Sequence, residues 1–286
     1  MPELPEVETM RRGIAGVVGS RIRQVGTPRC KLKPIALSPS LATIRRRIVG
    51  KAITGTNRVG KRVVLELEDG DRIVFEPRMT GLVLVADPPN LEHLRFRLGL
   101  DGGRVGELLF WDRRGLGSVR LASPQEFAIL YGPPKLGPDA LTVTPEILRD
   151  QLGSSRRPIK VALLDQRGIA GIGNLYASEI LHVCRISPHR PANRLRPAEW
   201  RSLAEAVLAV LQDAILHEGS TLSDGTYRNA LNQAGGYQNH HRVYDRASQK
   251  CQRCDGVDIV RIVQAQRSTF YCPGCQPASG RRSRKR

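Results

Sequence analysis

The sequence lacks any long hydrophobic run and is poor in acidic residues. No apolar stretch is long enough to span a membrane, and the acidic start Met1-Pro-Glu-Leu-Pro-Glu has no apolar core of the kind found in signal peptides. We therefore expect a soluble intracellular protein without a membrane partner. Only 27 Asp and Glu oppose 45 Lys and Arg, which gives a formal net charge of +18. This excess of positive charge favours a polyanionic partner.

Cysteine is also scarce, and four of the six cysteines are related by their spacing. Cys251-Gln-Arg-Cys254 is followed, seventeen residues later, by Cys272-Pro-Gly-Cys275. Two Cys-x-x-Cys pairs at this separation supply four thiolates to one tetrahedral ion, and the spacer is long enough for a β-hairpin. We predict one structural Zn²⁺; two disulfides or four unrelated thiols are the alternatives. Cys30 and Cys184 are left over and are expected to behave as small hydrophobic residues.

Hydrophobic periodicity divides the rest of the sequence. Residues 5–18 follow a helical period, and residues 20–122 alternate with a period of two. Short strand candidates separated by turns predict a sandwich or barrel: 63–68, 72–75, 93–98, 107–111 and 117–121. Helical patterns follow the Pro- and Gly-rich linker 131–138: a helix that Thr144 caps, and helices over 159–164, 174–184 and 197–217.

These patterns predict an α+β multidomain fold with three parts. The strands belong to residues 1–130, and the helices with an irregular loop at 219–242 belong to residues 131–245. The metal finger and a flexible basic tail, 279–286, occupy residues 246–286.

The amino terminus is the sharpest candidate for chemistry. A small second residue usually permits removal of the initiator Met, which would leave Pro2 as a free secondary amine. The pKa of an α-amino group is about 7.7–8.0, so part of it is neutral at pH 7. A neutral secondary amine attacks a sugar aldehyde carbon and gives an iminium ion, which is an electron sink. Glu3 and Glu6 lie beside it in sequence and could move protons. The alternative is a proline-stiffened helix start with acids at the positive end of the dipole.

Three further segments each allow two interpretations. Lys61 precedes an apolar strand and is either a second amine or phosphate contact, or a solvated turn lysine. The Gly-rich segment 168–174 is either a phosphate grip at a helix start or an ordinary helix entry capped by Asn174. The loop 112–117 is either a wedge for a base stack or a plain β-turn, and Met79 by default packs in a core.

Four segments, in this order, resemble formamidopyrimidine-DNA glycosylases: Pro2-Glu-Leu-Pro-Glu-Val-Glu-Thr9, Lys61, Gly171-Ile-Gly-Asn-Leu-Tyr-Ala-Ser-Glu179 and Gln266-Arg-Ser-Thr-Phe-Tyr-Cys272. The resemblance runs from residue 2 to about residue 276. It implies an N-terminal β-sandwich flanked by helices, a helix–two-turn–helix domain and a C-terminal zinc finger. It also implies a bifunctional repair enzyme, a monomer in the cytoplasm on nucleoid DNA, whose partner is double-stranded DNA with a damaged base.

The resemblance assigns a role to each candidate. A damaged purine, chiefly 8-oxoguanine or a ring-opened formamidopyrimidine, would be flipped out of the duplex. The Pro2 nitrogen would then attack the sugar C1′, Glu3 would handle protons, and β- and δ-elimination would cut both sides of the sugar. By the same resemblance, Lys61 would be the lysine that the family usually has in its site, and Arg267 would assist the second elimination. The residues implied in DNA binding are Met79, His93, Arg114, Leu116, Lys160 and Asn174, of which Met79, Arg114 and Leu116 would fill the gap left by the base.

The sequence also departs from the family's pattern. Leu116 stands where the family usually has Phe, and the loop reads Arg-Arg-Gly-Leu where the family usually has Pro-Arg-Arg-Phe. Glu76 stands where a phosphate-facing His is common, and its carboxylate would repel phosphate unless it turns away, for example toward Arg78.

Two alternative functions belong to different classes. The sister branch that removes oxidised pyrimidines shares the Pro2, Glu3, lysine and zinc-finger features, but usually has Gly where this chain has Leu4. A non-catalytic DNA-binding relative could keep the scaffold without the chemistry. Duplexes carrying either 8-oxoguanine or thymine glycol distinguish purine repair from pyrimidine repair. Borohydride trapping distinguishes a Schiff-base enzyme from a protein that only binds DNA.

Overall fold

The computed structural model describes residues 2–254 and 256–278. Met1 and the predicted basic tail from residue 279 onward therefore lie outside the described residues. The chain forms two compact units, one of Met1–Gly132 with Ala214–Gln238 and the other of Pro133–Asp213 with Asn239–Arg286. In the described part of the chain, no helix is long and apolar enough to cross a membrane. The domain boundaries near residues 130 and 245 stay predictions.

The first unit is built on two sheets. The four-stranded sheet has the order β1-β7-β8-β6, and the five-stranded sheet has the order β2-β9-β5-β4-β3, in which only the short β2–β9 pair of the described strands is parallel. The strands are β1 (Arg21–Gly26), β2 (Ala36–Ser38), β3 (Ile53–Val59), β4 (Arg62–Leu67), β5 (Arg72–Glu76), β6 (Gly81–Leu84), β7 (Leu94–Asp101), β8 (Glu107–Asp112) and β9 (Ser118–Ala122).

The two sheets share one hydrophobic core, which confirms the predicted sandwich. Phe75 of the five-stranded sheet meets Phe96 and Phe110 of the four-stranded sheet, with ring centroids 6.1 and 5.7 Å apart. All three rings are fully buried. Buried apolar residues from strands of both sheets form this core, as in sandwich packing.

The helices are α1 (Leu4–Gly13), α2 (Leu41–Ile48), α3 (Pro124–Tyr131), α4 (Pro145–Leu152), α5 (Ile159–Leu163), α6 (Asn174–Val183) and α7 (Pro197–Leu216). The predicted starts at residues 159, 174 and 197 are confirmed. The predicted Thr144 cap is also confirmed, because its side chain accepts a hydrogen bond from the Ile147 N–H at 3.2 Å.

Two helical predictions need correction. The helix expected over residues 5–18 ends at Gly13 and gives way to a 3₁₀ turn at Ala15–Val17, since Gly13 and Gly16 are poor helix formers. Its apolar stripe is nevertheless buried through Val17. The continuous strand pattern over residues 20–122 is interrupted by α2, which Ser40 caps and which buries Ile44 and Ile48 four residues apart.

The C-terminal finger is a hairpin of β10 (Val260–Gln264) and β11 (Arg267–Tyr271). The predicted hairpin between the cysteine pairs is therefore confirmed. Ala265 and Gln266 form its two-residue turn with φ values of +46° and +61°. Both residues have the positive φ that the right-handed twist of the strands requires at such a turn.

Candidate active site and nucleic-acid interface

The amino terminus places two buried carboxylates beside Pro2. Pro2 is buried directly before Glu3, which is the N-cap of α1. Glu3 and Glu6 form a capping box, in which the Glu3 N–H donates to the Glu6 carboxylate at 2.8 Å. The helix-start interpretation is thus correct as a description of structure. The capping box also holds both acids, which are 4% and 3% exposed, next to the proline.

Glu6 also fastens a distant segment of the first unit. Its carboxylate accepts a hydrogen bond from the Ser220 N–H at 2.8 Å. The Tyr227 hydroxyl donates to the backbone oxygens of Glu6 at 3.4 Å and of Glu218 at 2.9 Å. Burial raises the pKa of Tyr227 well above its ordinary value, so this hydroxyl remains a donor. The sequence predicts an irregular loop over residues 219–242 but does not predict its contact with Glu6.

Lys61 lies on a turn that is tied to α1. Gly60 and Lys61 form the two-residue connection between β3 and β4, where Gly60 has a φ of +55°. The Arg58 guanidinium donates to the Gly60 carbonyl at 2.8 Å and pairs with the Glu8 carboxylate at 3.3 Å. The half-buried Lys61 is therefore held against the helix that begins after Pro2. Glu8 and Arg58 were missed because nothing in their sequence context distinguishes them from surface charges.

Met79 and the loop after β8 lie close together in the first unit. The Thr80 hydroxyl bonds to the Asp112 carboxylate, and both side chains are buried. The same carboxylate accepts from the N–H groups of Arg114 at 3.2 Å and Gly117 at 2.7 Å. This network leaves the side chains at the two tips exposed, since Met79 is 37% and Leu116 51% exposed and Arg114 is also exposed.

Glu76 is turned toward arginines. Its carboxylate pairs with Arg62 at 3.1 Å and Arg78 at 2.8 Å. The pairing with Arg78 matches the orientation that the sequence suggested. Because two guanidinium groups neutralise it, this carboxylate presents less negative charge than the sequence alone implies.

His93 lies directly before β7 and packs on the neighbouring strand β8. Its ring stands edge-to-face on Trp111, with centroids 5.5 Å apart, and its Nδ1 has no hydrogen-bond partner among the described residues. Its carbonyl accepts from the Asp112 N–H at 2.9 Å. His93 thus supports the residue that anchors the exposed loop.

In the second unit, Lys160 and Asn174 meet the hairpin. The Asn174 amide donates to the Ser268 carbonyl at 2.9 Å, and the fully buried Lys160 ammonium donates to Asn174 Oδ1 and, at 3.3 Å, to the same carbonyl. Arg267, next along β11, is exposed. The cap assigned to Asn174 is wrong: Gly173 is the N-cap, and the Asn174 side chain is engaged by β11 and Lys160 instead.

The four finger cysteines fit one zinc ion. Their sulfurs all lie within 4.8 Å of one another, and the Cys251–Cys275 and Cys254–Cys272 separations are 3.8 and 3.5 Å. A tetrahedral ion with Zn–S bonds of about 2.3 Å requires sulfur separations of about 3.8 Å. Burial raises the pKa of Cys272 to about 11, so a cation is needed to hold four thiolates together near neutral pH. The cluster is a site for one structural Zn²⁺.

Glu179 has a structural role that the sequence did not predict. Its fully buried carboxylate accepts hydrogen bonds from three consecutive backbone N–H groups, those of Arg242 at 2.9 Å, Val243 at 2.9 Å and Tyr244 at 2.8 Å. Burial raises its pKa, while the three donors oppose that rise. The carboxylate thereby fixes the segment 242–244, which precedes the finger in the chain.

Comparisons with known proteins agree over most of the chain. The N-terminal domain of formamidopyrimidine-DNA glycosylase matches residues 1–119, its H2TH domain matches residues 136–226, and the zinc finger found in FPG and IleRS matches residues 248–278. The formamidopyrimidine-DNA glycosylase of Chloroflexus aurantiacus is 42% identical over 282 residues, covering 96% of this chain and 98% of that protein. The Herpetosiphon aurantiacus enzyme is 38% identical over 285 residues, covering 96% of this chain and all of that protein.

Solved structures give the same result. The Fpg protein of Thermus thermophilus superimposes with a TM-score of 0.83 at 36% identity, covering 96% of this chain and 98% of that chain. A Lactococcus lactis Fpg variant bound to DNA containing Fapy-dG gives a TM-score of 0.84 at 31% identity, covering 96% of this chain and 100% of that one. The chain therefore belongs to the formamidopyrimidine-DNA glycosylase family and is a DNA-binding glycosylase of base excision repair with abasic-site lyase activity.

Proposed function

We propose that this enzyme flips oxidised purines out of double-stranded DNA, excises them through a Schiff base on Pro2 and then cleaves the strand by β,δ-elimination. Relatives support the substrate class, since solved family members hold DNA containing Fapy-dG or carbocyclic 8-oxo-G. The observation that carries the proposal is the burial of Pro2 beside Glu3, with the Lys61 turn tied to the same helix. We also infer that it acts as a monomer in the cytoplasm, which size-exclusion chromatography and cell fractionation test.

The first covalent step requires Pro2 to be amino-terminal. After removal of Met1, the lone pair of the Pro2 nitrogen attacks C1′ and the C1′–N bond to the base breaks, so that the base leaves with the electron pair and takes up a proton. The Pro2 nitrogen then gives up its own N–H proton, which restores its lone pair. The C1′–O4′ bond then opens to give an iminium ion, and O4′ receives a proton. We assign that proton transfer to Glu3, because it is the buried carboxylate that directly follows Pro2 in the chain.

The eliminations use the iminium ion as an electron sink. Loss of a C2′ proton expels the 3′ phosphate with the C3′–O bond pair, and loss of a C4′ proton then expels the 5′ phosphate with the C5′–O bond pair. Water releases Pro2 from the remaining sugar fragment. We assign Lys61 to the site around the sugar and the exposed Arg267 to the departing phosphate, since a guanidinium can hold two phosphate oxygens at once.

DNA binding uses both units in this proposal. Asn174 binds phosphate at the start of α6, and the buried Lys160 ammonium behind it adds its charge to that of the helix N-terminus. Met79, Arg114 and Leu116 fill the space that the flipped base vacates, with His93 behind them. The zinc site fixes the finger that carries Arg267.

Borohydride trapping tests the nucleophile. The processed enzyme should become covalently joined to 8-oxoguanine duplex, whereas a form that keeps Met1, verified by intact mass, should not. In that form the Pro2 nitrogen is an amide, and the α-amine is displaced by one residue, about 3.8 Å. Pro5→Ala is the matched control, because it removes a neighbouring proline of the same helix and leaves the amine intact. Equal trapping by the Met1-containing form would remove Pro2 as the nucleophile.

A second substrate class is tested in parallel. The Lactococcus lactis enzyme has been solved with DNA containing an oxidised pyrimidine. We expect excision of 8-oxoguanine and formamidopyrimidine to exceed excision of thymine glycol in kcat/KM on otherwise identical duplexes. A preference for thymine glycol would assign the chain to pyrimidine repair instead.

A further inference from the structure

Arg95 is a buried cation that the proposed chemistry does not use. It lies in β7 at the irregularity in the pairing with β8 and is 4% exposed. Its Nε donates to the Asp112 carbonyl at 2.8 Å, and its Nη1 donates to Cys30 Sγ at 2.8 Å and to the Lys33 carbonyl at 3.4 Å. Within residues 2–254 and 256–278, no carboxylate forms an ion pair with it.

Cys30 therefore differs from the small hydrophobic residue that the sequence predicted. Its sulfur accepts from Arg95, and its thiol donates to the Glu92 carbonyl at 3.1 Å. The guanidinium thus joins three stretches of chain: the segment of Cys30 and Lys33, strand β7 and the end of β8. A planar fork with five donors can make such a three-way connection, and an ammonium on a flexible stem cannot do so in the same geometry.

The loop that carries Arg114 and Leu116 lies on this guanidinium. Gly115, at its centre, has a φ of +62°. A Cβ at that position would lie 3.3 Å from the Lys33 carbonyl oxygen and 3.6 Å from Arg95 Nη2. Gly115 therefore permits a close approach as well as the left-handed backbone. Arg95 supports the loop from below, and the Asp112 carboxylate holds its two ends through the Arg114 and Gly117 N–H groups.

We propose that Arg95, anchored by Cys30, is a positioning residue that sets the depth at which Arg114 and Leu116 enter the DNA duplex. The inference rests on the proposed gap-filling role of those two side chains. An aliphatic Leu lacks the flat face with which an aromatic ring stacks on bases, so its contribution depends on close contact. A radial gap of about 0.5–1 Å already loses a quarter to a half of a dispersion contact. A rigid support therefore matters more for Leu116 than for an aromatic wedge.

The test compares binding to a duplex and to a single strand that carry the same stable tetrahydrofuran abasic analogue. Only the duplex has an opposite strand whose stack must be filled. Arg95→Lys should lower the ratio of duplex affinity to single-strand affinity by at least about tenfold, equivalent to about 1.4 kcal/mol. Single-strand affinity should stay unchanged. Arg97→Lys is the matched control, since Arg97 lies two residues along β7 and its side chain forms a solvent-exposed ion pair with Glu107 at 3.7 Å.

A series at Cys30 tests the same connection from its other end. Cys30→Ser keeps an acceptor for Arg95 and should behave as the parent enzyme, whereas Cys30→Ala should lower the duplex-to-single-strand ratio in the same direction as Arg95→Lys. Equal ratios for Arg95→Lys and Arg97→Lys would overturn the proposal. Equal losses on both DNA forms, accompanied by a lower melting temperature, would also overturn it by showing a purely structural role.

The readout separates this inference from the proposed function. Binding to the analogue requires no bond cleavage, so an enzyme that fails to trap with borohydride still reports the duplex-to-single-strand ratio. If the parent enzyme does not trap but Arg95→Lys lowers the duplex-to-single-strand ratio, the Pro2 chemistry is rejected and the role of Arg95 is retained. If the parent enzyme traps normally but Arg95→Lys leaves the ratio unchanged, the Pro2 chemistry is retained and the role of Arg95 is rejected.

Discussion

The β-sandwich, apart from its short β2–β9 pair, and the C-terminal hairpin are antiparallel, yet different interactions hold them together. The sandwich buries a large apolar layer that includes Phe75, Phe96 and Phe110. The core around the hairpin consists of Val243, Cys251, Ile259, Phe270 and Cys272, and the hairpin residue Val263 is 69% exposed. A two-stranded hairpin with so little apolar burial is marginal by itself, so metal and polar contacts must supply the remainder.

The comparison also separates two functional tasks. The sandwich unit holds Pro2, which is the proposed nucleophile, its neighbouring acids and the exposed loops, whose positions depend on a continuous core. The hairpin holds Arg267, whose position depends on the zinc site and on the bonds from Lys160 and Asn174 to Ser268. Disrupting each support should therefore impair a different part of the enzyme.

Removal of zinc should have the largest effect. Structural zinc contributes about 10–16 kcal/mol of apparent folding free energy in isolated fingers, so a chelator should unfold the hairpin. DNA affinity should fall with it, while the unfolding transition of the sandwich stays in place. Metal content, anisotropy with duplex DNA and thermal denaturation measure the three quantities. Cys184→Ser, at a cysteine outside the cluster, is the control. Full DNA affinity in verified zinc-free protein would contradict this division of roles.

The converse experiment is Phe110→Ala in the sandwich. Phe110 is fully buried against Phe75, so its truncation should cost about 3–5 kcal/mol of unfolding free energy. Zinc should remain bound, because the variant leaves the hairpin untouched. Denaturant titration gives the free energy, and Leu91→Ala, at a residue that is 72% exposed, should change it little. Loss of zinc from Phe110→Ala would show that the two regions do not depend on separate supports.

Glu179→Gln should have a smaller effect that is confined to the approach to the finger. The charged carboxylate serves three backbone donors with two oxygens, and the amide replaces one oxygen with a donor. A hydrogen bond to a charged group contributes about 1.5–3 kcal/mol. We expect faster hydrogen exchange at the amides of residues 242–244, with Glu205→Gln on the exposed face of α7 as the control. Unchanged exchange would show that these amides do not depend on the carboxylate.

The sequence predicts best where local chemistry decides the outcome. The Cys-x-x-Cys spacing gives the cluster and its hairpin, the Thr144–Pro145 pair gives the start of α4, and alternation gives most strands. It fails where short signals compete. The eight residues of α2 were hidden among strands, and glycines ended α1 early.

The support of the site could not be predicted, because it consists of contacts between residues far apart in the chain. Glu6 and Ser220 are 214 positions apart, and Cys30 and Arg95 are 65 apart. Asn174 shows the same limit, since the local pattern of a cap was overridden by bonds to Ser268. Residue type and spacing suggested which groups carry chemistry, whereas tertiary structure determined which groups hold them.

The smallest expected effect concerns Glu8, a polar support within the mainly apolar sandwich unit. Burial acts to raise its pKa, but hydrogen bonds from Arg11 and Arg12 and the charges of Arg11 and Arg58 outweigh burial and lower it from 4.5. Because the folded pKa lies below the unfolded value, the stabilisation is complete above about pH 4.5 and is lost as the pH falls through the folded pKa.

Glu8→Gln should therefore lower the unfolding free energy by about 1 kcal/mol near neutral pH, and the difference should shrink on acidification. Denaturant titrations across that range measure it, with the exposed Glu92→Gln as the control. The Lys61 turn is tied to Glu8 through Arg58, so borohydride trapping should weaken in parallel. A pH-independent difference would show that the charge of Glu8 does not contribute to the stability of the sandwich unit.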